Sequence, residues 1–77
     1  MNLEIVSPEK IIYSGKIDSV TLPGVNGSFM ILDRHAPIVS ILKKGVLRYC
    51  INEKKEEMII NGGFVEVKKN IISVCIE

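Results

Sequence analysis

No window of this 77-residue chain holds a helical period for three turns. Instead, short runs rich in Ile and Val recur along its whole length, and turn chemistry separates them. That pattern restricts the chain to an all-β fold. Strands are expected at 2–7, 10–14, 16–22, 27–32, 38–42, 45–52, 56–61, 63–68 and 71–76. Ser14-Gly15 is expected to turn between the second and third. Lys43-Lys44-Gly45 precedes the sixth, and Asn52-Glu53-Lys54-Lys55 forms a polar hairpin tip. Asn61-Gly62-Gly63 supplies positive φ, which Lys69-Asn70 tolerates. The expected architecture is a small, flattened β-sandwich or barrel of about nine or ten short strands with no substantial helix, in a single domain over residues 1–77.

Successive strand residues face opposite ways, so parity assigns the two faces. Leu3, Ile5, Val20, Leu22, Leu47, Tyr49, Ile51, Val65, Val67, Ile72, Val74 and Ile76 fall on the inner one, opposed by Asn2, Glu4, Ser19, Thr21, Arg48, Glu66, Lys68, Ser73 and Glu77. The same parity turns Val6, Met30, Ile59, Phe64 and Ile71 outward. Collected together after folding, they form an apolar patch that needs a cover. Separated, or brought inside by bulges, they are ordinary sandwich residues.

Composition narrows the function classes. Ten basic and nine acidic side chains leave a formal charge of +1, without the basic excess of a nucleic-acid binder. Tyr13, Phe29, Tyr49 and Phe64 are scattered and read as packing residues rather than a stacking platform for bases. No apolar run approaches the ~20 residues of a membrane-spanning helix, and Met1-Asn2-Leu3-Glu4 is not the start of a signal peptide. The expected location is therefore the cytoplasm or the cytoplasmic side of a membrane. Cys50 and Cys75 are expected to be reduced, small apolar strand residues, neither a disulfide scaffold nor part of a metal site.

No catalytic set is legible. Asp33 and His35 share a face if the segment is extended, but no serine nucleophile is evident beyond nearby Ser40. Gly24-Val25-Asn26-Gly27 lacks the Gly-Lys-Ser/Thr ending and the following helix of a phosphate cradle. No cofactor is expected. His35 reads either as a hydrogen-bonded corner residue beside Pro37 or as a side chain at the joint with a neighbouring subunit. A second function class is a lipoyl- or biotin-carrier-type sandwich with Lys54 as the modified lysine of the Asn52–Glu56 tip. No internal similarity between two halves supports that class.

The segment Leu22-Pro23-Gly24-Val25-Asn26-Gly27-Ser28-Phe29-Met30-Ile31-Leu32, followed by Asp33-Arg34-His35-Ala36-Pro37, combines glycines, prolines and a turn-forming Asn-Gly. It reads as a loop held in one shape to meet a partner. It resembles the corresponding loop of the epsilon subunit of F-type ATP synthases. Leu3 through Lys10, Tyr13-Ser14-Gly15, Lys44-Gly45-Val46, Gly62 through Val67, and Asn70 through Glu77 extend the resemblance over the whole chain. The chain departs from that family's pattern at Met30, where a third glycine is usual, and at Asp33-Arg34, where Pro-Gly is usual. It also ends at Glu77, where many members continue into a helical hairpin.

The resemblance implies a non-catalytic rotor subunit of the central stalk, present once per complex. It implies a link between the gamma subunit and the c-ring that couples proton flow to ATP synthesis. The location it implies is peripheral, on the cytoplasmic face of a bacterial inner membrane and without direct insertion. Asn26, Gly27, Ser28, Phe29 and Met30 are then expected at the c-ring, and His35, Ala36, Pro37 and Phe64 at gamma. Without the helical hairpin, this mode of inhibiting ATP hydrolysis is expected to be missing.

Overall fold

The computed structural model describes residues 1–77. It contains nine strands: β1 (Asn2–Val6), β2 (Ile11–Lys16), β3 (Ser19–Gly24), β4 (Gly27–Leu32), β5 (Ile38–Leu42), β6 (Gly45–Ile51), β7 (Lys54–Ile60), β8 (Gly63–Lys68) and β9 (Ile71–Ile76). There is no helix. The strands form one sheet in the order β2-β1-β9-β8-β5-β3-β6-β7, with β4 on the far side of β3. All neighbours are antiparallel except β1 and β9.

The β5–β3 joint rests on the single pair Gly24↔Leu42, whereas β3 pairs with β6 through Ser19, Val20 and Thr21. Strand β3 thus leaves one half of the sheet and touches the other only at its end. The sheet folds over at that joint into two layers, β2-β1-β9-β8-β5 and β7-β6-β3-β4. Inward residues of both layers form one core of Leu3, Ile5, Ile17, Val20, Leu22, Ile31, Leu42, Leu47, Ile60, Val65, Val67, Ile72 and Val74. The rings of Tyr13 (β2) and Tyr49 (β6) meet across the layers at 4.6 Å. Burial, with smaller contributions from Glu56 and Tyr13, pushes the Tyr49 phenol above its ordinary value.

The inner face expected from parity is the observed core or its partly buried rim. Met30, Ile59, Phe64 and Ile71 point outward as expected. Val6 is half-buried, beside a register shift at Ile5/Val6.

Two turns differ from expectation. Ser14-Gly15 does not turn. Gly15 continues β2 opposite Leu3, and the Tyr13 hydroxyl occupies the space beside it, where a Cβ would meet it at 2.8 Å. The chain reverses instead at Ile17-Asp18. There the Asp18 carboxylate accepts the Asn52 N–H at 2.9 Å, and its own N–H donates to the Cys50 carbonyl. The β6–β7 tip is also tighter than expected. Asn52 and Glu53, at φ 48° and 70°, make the whole turn, the geometry that matches strand twist in a two-residue hairpin. Lys54 already belongs to the ladder, opposite Ile51.

Strand directions sort the loops onto two poles. One carries the β3–β4 tip with the 7–10, 43–44 and 61–62 connections. The other carries the β4–β5 corner at 33–37 and the 17–18, 52–53 and 69–70 turns.

Candidate functional site

The first layer turns an apolar strip to the outside. Register places Ile41 beside Phe64, Phe64 beside Cys75, and Cys75 beside Val6, giving one row across four strands. All four side chains alternate with core residues, so all face outward. Ile41 is 63% exposed and Phe64 49% exposed. The row floors a groove of about 570 Å³ walled on one side by Ser7 and Pro8. The next row, Val39 and Glu66, continues towards a second hollow of about 320 Å³ lined by Pro37, Val39, Glu66 and Lys68. Val39, at 72% exposure, joins the two. An apolar row of this kind, on a sheet whose other face is already in the core, is the sort of exposed patch that marks interaction surfaces.

The β3–β4 hairpin closes with Val25 and Asn26 at its tip, opposite the pair Gly24↔Gly27. Two backbone bonds anchor it to the β5 end, from Val25 N–H to the Ile41 carbonyl (3.2 Å) and from Lys43 N–H to the Pro23 carbonyl (2.9 Å). Gly24 is fixed by close approach, because a Cβ there would meet the Phe29 ring at 2.8 Å. The tip therefore stands on a braced base.

At the opposite pole, the Asn70 amide donates to Asp33 Oδ1 at 2.7 Å. This hydrogen bond is the main reason the Asp33 carboxyl lies below its ordinary 3.8. Partial desolvation opposes it, and the N-terminal ammonium and Arg34 add to it. A carboxyl depressed in the fold stabilises it above the unfolded value and loses that contribution as pH falls through the folded value. A carbon-detected titration should place the Asp33 midpoint below 3.8, and Asn70→Ala should move it up. A parental midpoint at or above the ordinary value contradicts the hydrogen bond.

The description "ATP synthase, Delta/Epsilon chain, beta-sandwich domain" belongs to a family model that matches residues 1–77. The chain belongs to this family. Among relatives, the ATP synthase epsilon chain of Leptospira borgpetersenii serovar Hardjo-bovis (strain JB197) is 46% identical over 74 residues, covering 96% of this chain and 58% of the relative. That of Chlorobaculum tepidum is 45% identical over 69 residues, covering 88% and 78%. The chain thus spans about three fifths of the Leptospira protein. Among solved structures, the Euglena gracilis mitochondrial ATP synthase (OSCP/F1/c-ring, rotational state 1) contains a chain with TM-score 0.91 at 22% identity, covering 96% of this chain and 48% of that one. The central stalk/c-ring of the Tetrahymena thermophila mitochondrial ATP synthase contains one with TM-score 0.82 at 17% identity, covering 97% and 61%. At these identities the structures attest the fold.

On this delta/epsilon sandwich, the residues singled out in the sequence are spread over both poles and both layers. Asn26, Gly27 and Ser28 are exposed at the hairpin tip. Phe29 is half-buried, its ring against Gly24 and the core. Met30 is exposed on the outer face of the second layer, opposite Thr21. His35, Ala36 and Pro37 are exposed at the β4–β5 corner, where His35 Nδ1 lies 2.6 Å from the Ala36 carbonyl. Phe64 sits on the outer face of the first layer, with Ile41 and Val39 of β5 between it and Pro37. Asp33, His35 and Ser40 are not brought together: no hydrogen bond joins them, and Ser40 alternates with the outward Val39 and Ile41. Lys54 is not a tip residue, since Asn52 and Glu53 occupy the tip.

Sequence reasoning missed Val39, Ile41, Cys75 and Asn70. In Ile38-Val39-Ser40-Ile41-Leu42, the lone polar residue faces inward, so polarity gave no guide to facing.

Proposed function

We propose that this chain is the β-sandwich of a non-catalytic central-stalk subunit of a rotary ATP synthase, seated between the gamma subunit and the c-ring and coupling proton flow to ATP synthesis. The observation that carries this reading is the apolar row Val6–Cys75–Phe64–Ile41 on the outside of an already complete sandwich. Gamma is the partner that covers this face, with Phe64 at one end and His35, Ala36 and Pro37 at the other. The braced hairpin tip, through Asn26, Gly27 and Ser28, rests on the c-ring loops, with Phe29 supporting it from beneath and Met30 beside it. One copy serves each complex, peripheral on the cytoplasmic face of a bacterial inner membrane.

The family membership supports the reading, as does the fold shared with a chain of a central stalk/c-ring assembly. The physics also suits torque. Densely packed sheets are poorly compressible, so a rotation applied at one face is delivered at the other with little loss.

The two free cysteines test the site without a mutation. Cys75 lies in the apolar row, and Cys50 faces outward on the other layer, between Ser19 and Lys55. Alkylation by N-ethylmaleimide, followed by mass spectrometry, should slow severalfold at Cys75 when the gamma subunit is added and stay unchanged at Cys50. Equal Cys75 rates with and without gamma contradict the proposed face.

A further inference from the structure

The β4–β5 corner is held by a side chain that lies 36 positions further along the chain. Leu32-Asp33-Arg34-His35 is a tight turn, in which the His35 N–H donates to the Leu32 carbonyl at 3.2 Å. Arg34, its third residue, stands at φ 64°, while Asp33 is not at positive φ. This is the type II pattern, which proline at the second position and glycine at the third adopt for reasons of their own backbone. Asp33 and Arg34 lack those reasons. Aspartate has no ring to fix its φ, and the arginine Cβ disfavours the left-handed region. The turn therefore needs support from outside itself.

Asn70 supplies that support with both ends of its amide. Its Oδ1 accepts the Arg34 N–H at 2.9 Å, and its Nδ2 donates to Asp33 Oδ1 at 2.7 Å. The backbone N–H at the third residue of such a turn has no partner within the turn, and Asn70 supplies the acceptor for it. Asn70 is itself fixed. It sits at φ 63° in the β8–β9 turn, and its carbonyl accepts the Asn2 N–H at 3.1 Å.

We propose that Asn70 is the positioning residue of this corner: by clasping Asp33 and Arg34 it sets the direction in which His35, Ala36 and Pro37 leave the turn and join the outer face at Val39. Asn70 acts through the turn and touches no partner. The functional half of this inference rests on the reading of that face as the gamma contact.

The test compares the parent, Asn70→Ala, and Asn70→Ala combined with Asp33→Pro and Arg34→Gly. Two readouts are taken, amide exchange over residues 32–37 by NMR and association with the gamma subunit. In Asn70→Ala, exchange at Arg34 should rise about tenfold, the His35 and Ala36 amides should lose order, and gamma should bind several times more weakly. In the triple variant, the turn holds itself. Order at His35 and binding should return, although the amide at position 34, still without an acceptor, stays fast.

Unchanged Arg34 exchange in Asn70→Ala overturns the clasp. Faster exchange with parental gamma binding overturns the positioning role, as does a triple variant that stays weak. If Asn70→Ala does not fold, Asn70→Asp with Asp33→Asn keeps both hydrogen bonds: the Arg34 N–H still donates to residue 70, and only the bond between the two side chains runs the other way. That pair should preserve the corner and the binding, and its failure to do so also overturns the inference. A parent that does not bind gamma contradicts the interface instead, and Arg34 exchange then decides the clasp alone.

Discussion

Gly63→Ala is expected to remove at least about a third of the domain's stability. Gly63 opens β8 at φ 148°, a region that L side chains avoid at a cost of about 1–3 kcal/mol. Space is the larger obstacle. An added Cβ would lie 2.9 Å from Ile76 Cα and nearer still to the Cys75 carbonyl oxygen. Both are backbone atoms of the paired strand, so nothing can rotate away, and relief requires breaking the β8–β9 ladder at Gly63↔Ile76. Strain and overlap together should cost at least about 4 kcal/mol. A chain of this length is stabilised by only roughly 4–12 kcal/mol.

Gly27→Ala is the control. Gly27 also has positive φ, at 124°, but a Cβ there meets nothing within 4 Å. Its cost should stay within the about 1–3 kcal/mol of strain alone. Urea unfolding of the two variants separates the effects, and equal midpoints contradict the overlap argument.

Phe64→Asp is expected to abolish association with gamma while leaving the sandwich folded. The ring is half exposed and belongs to the outer row, not to the 13-residue core. The domain loses little when it goes, about 1 kcal/mol from the poor strand preference of aspartate. On the outer face, the same position is the centre of the groove, flanked by Ile41 and Cys75. An aromatic residue in such a place behaves as an anchor worth about 2–4 kcal/mol. Burying an unpaired carboxylate there adds its desolvation cost. Affinity should therefore fall by at least about 100-fold. Equal losses of stability and binding instead identify Phe64 as a core residue.

Much of the fold was legible because burial alternates cleanly along β1, β8 and β9. Leu3 and Ile5, Val65 and Val67, and Ile72 and Val74 needed only parity to be placed in the core. The errors came where pairing with a distant stretch of the chain decides the backbone. Gly15 reads as a turn residue, yet Tyr13 covers it and the Leu3 pairing keeps it extended. Asp18 turns the chain because Asn52 and Cys50 lie ready for its hydrogen bonds, and Asn52 is 34 residues away.

The candidate site was partly legible for the same reason. Parity alone turned Phe64 outward, and the Gly-Pro content marked the hairpin. The union of Phe64 with Ile41, Cys75 and Val6 depends on β5–β8, β8–β9 and β9–β1 register, which is long-range. Asn70 was read as a residue that tolerates positive φ. Its grip on Asp33 and Arg34 exists only once the β4–β5 corner and the β8–β9 turn meet at one pole.

The most direct measurement is co-elution of the chain with the gamma subunit in size-exclusion chromatography, run beside Phe64→Asp with the thermal midpoint of each. The parent should travel with gamma at one copy each. The variant should elute alone, with its midpoint lowered by no more than about 4–8 °C. A parent that elutes separately from gamma, or a folded Phe64→Asp that still travels with it, contradicts the assignment of the outer apolar row as the face that joins the sandwich to the rotor.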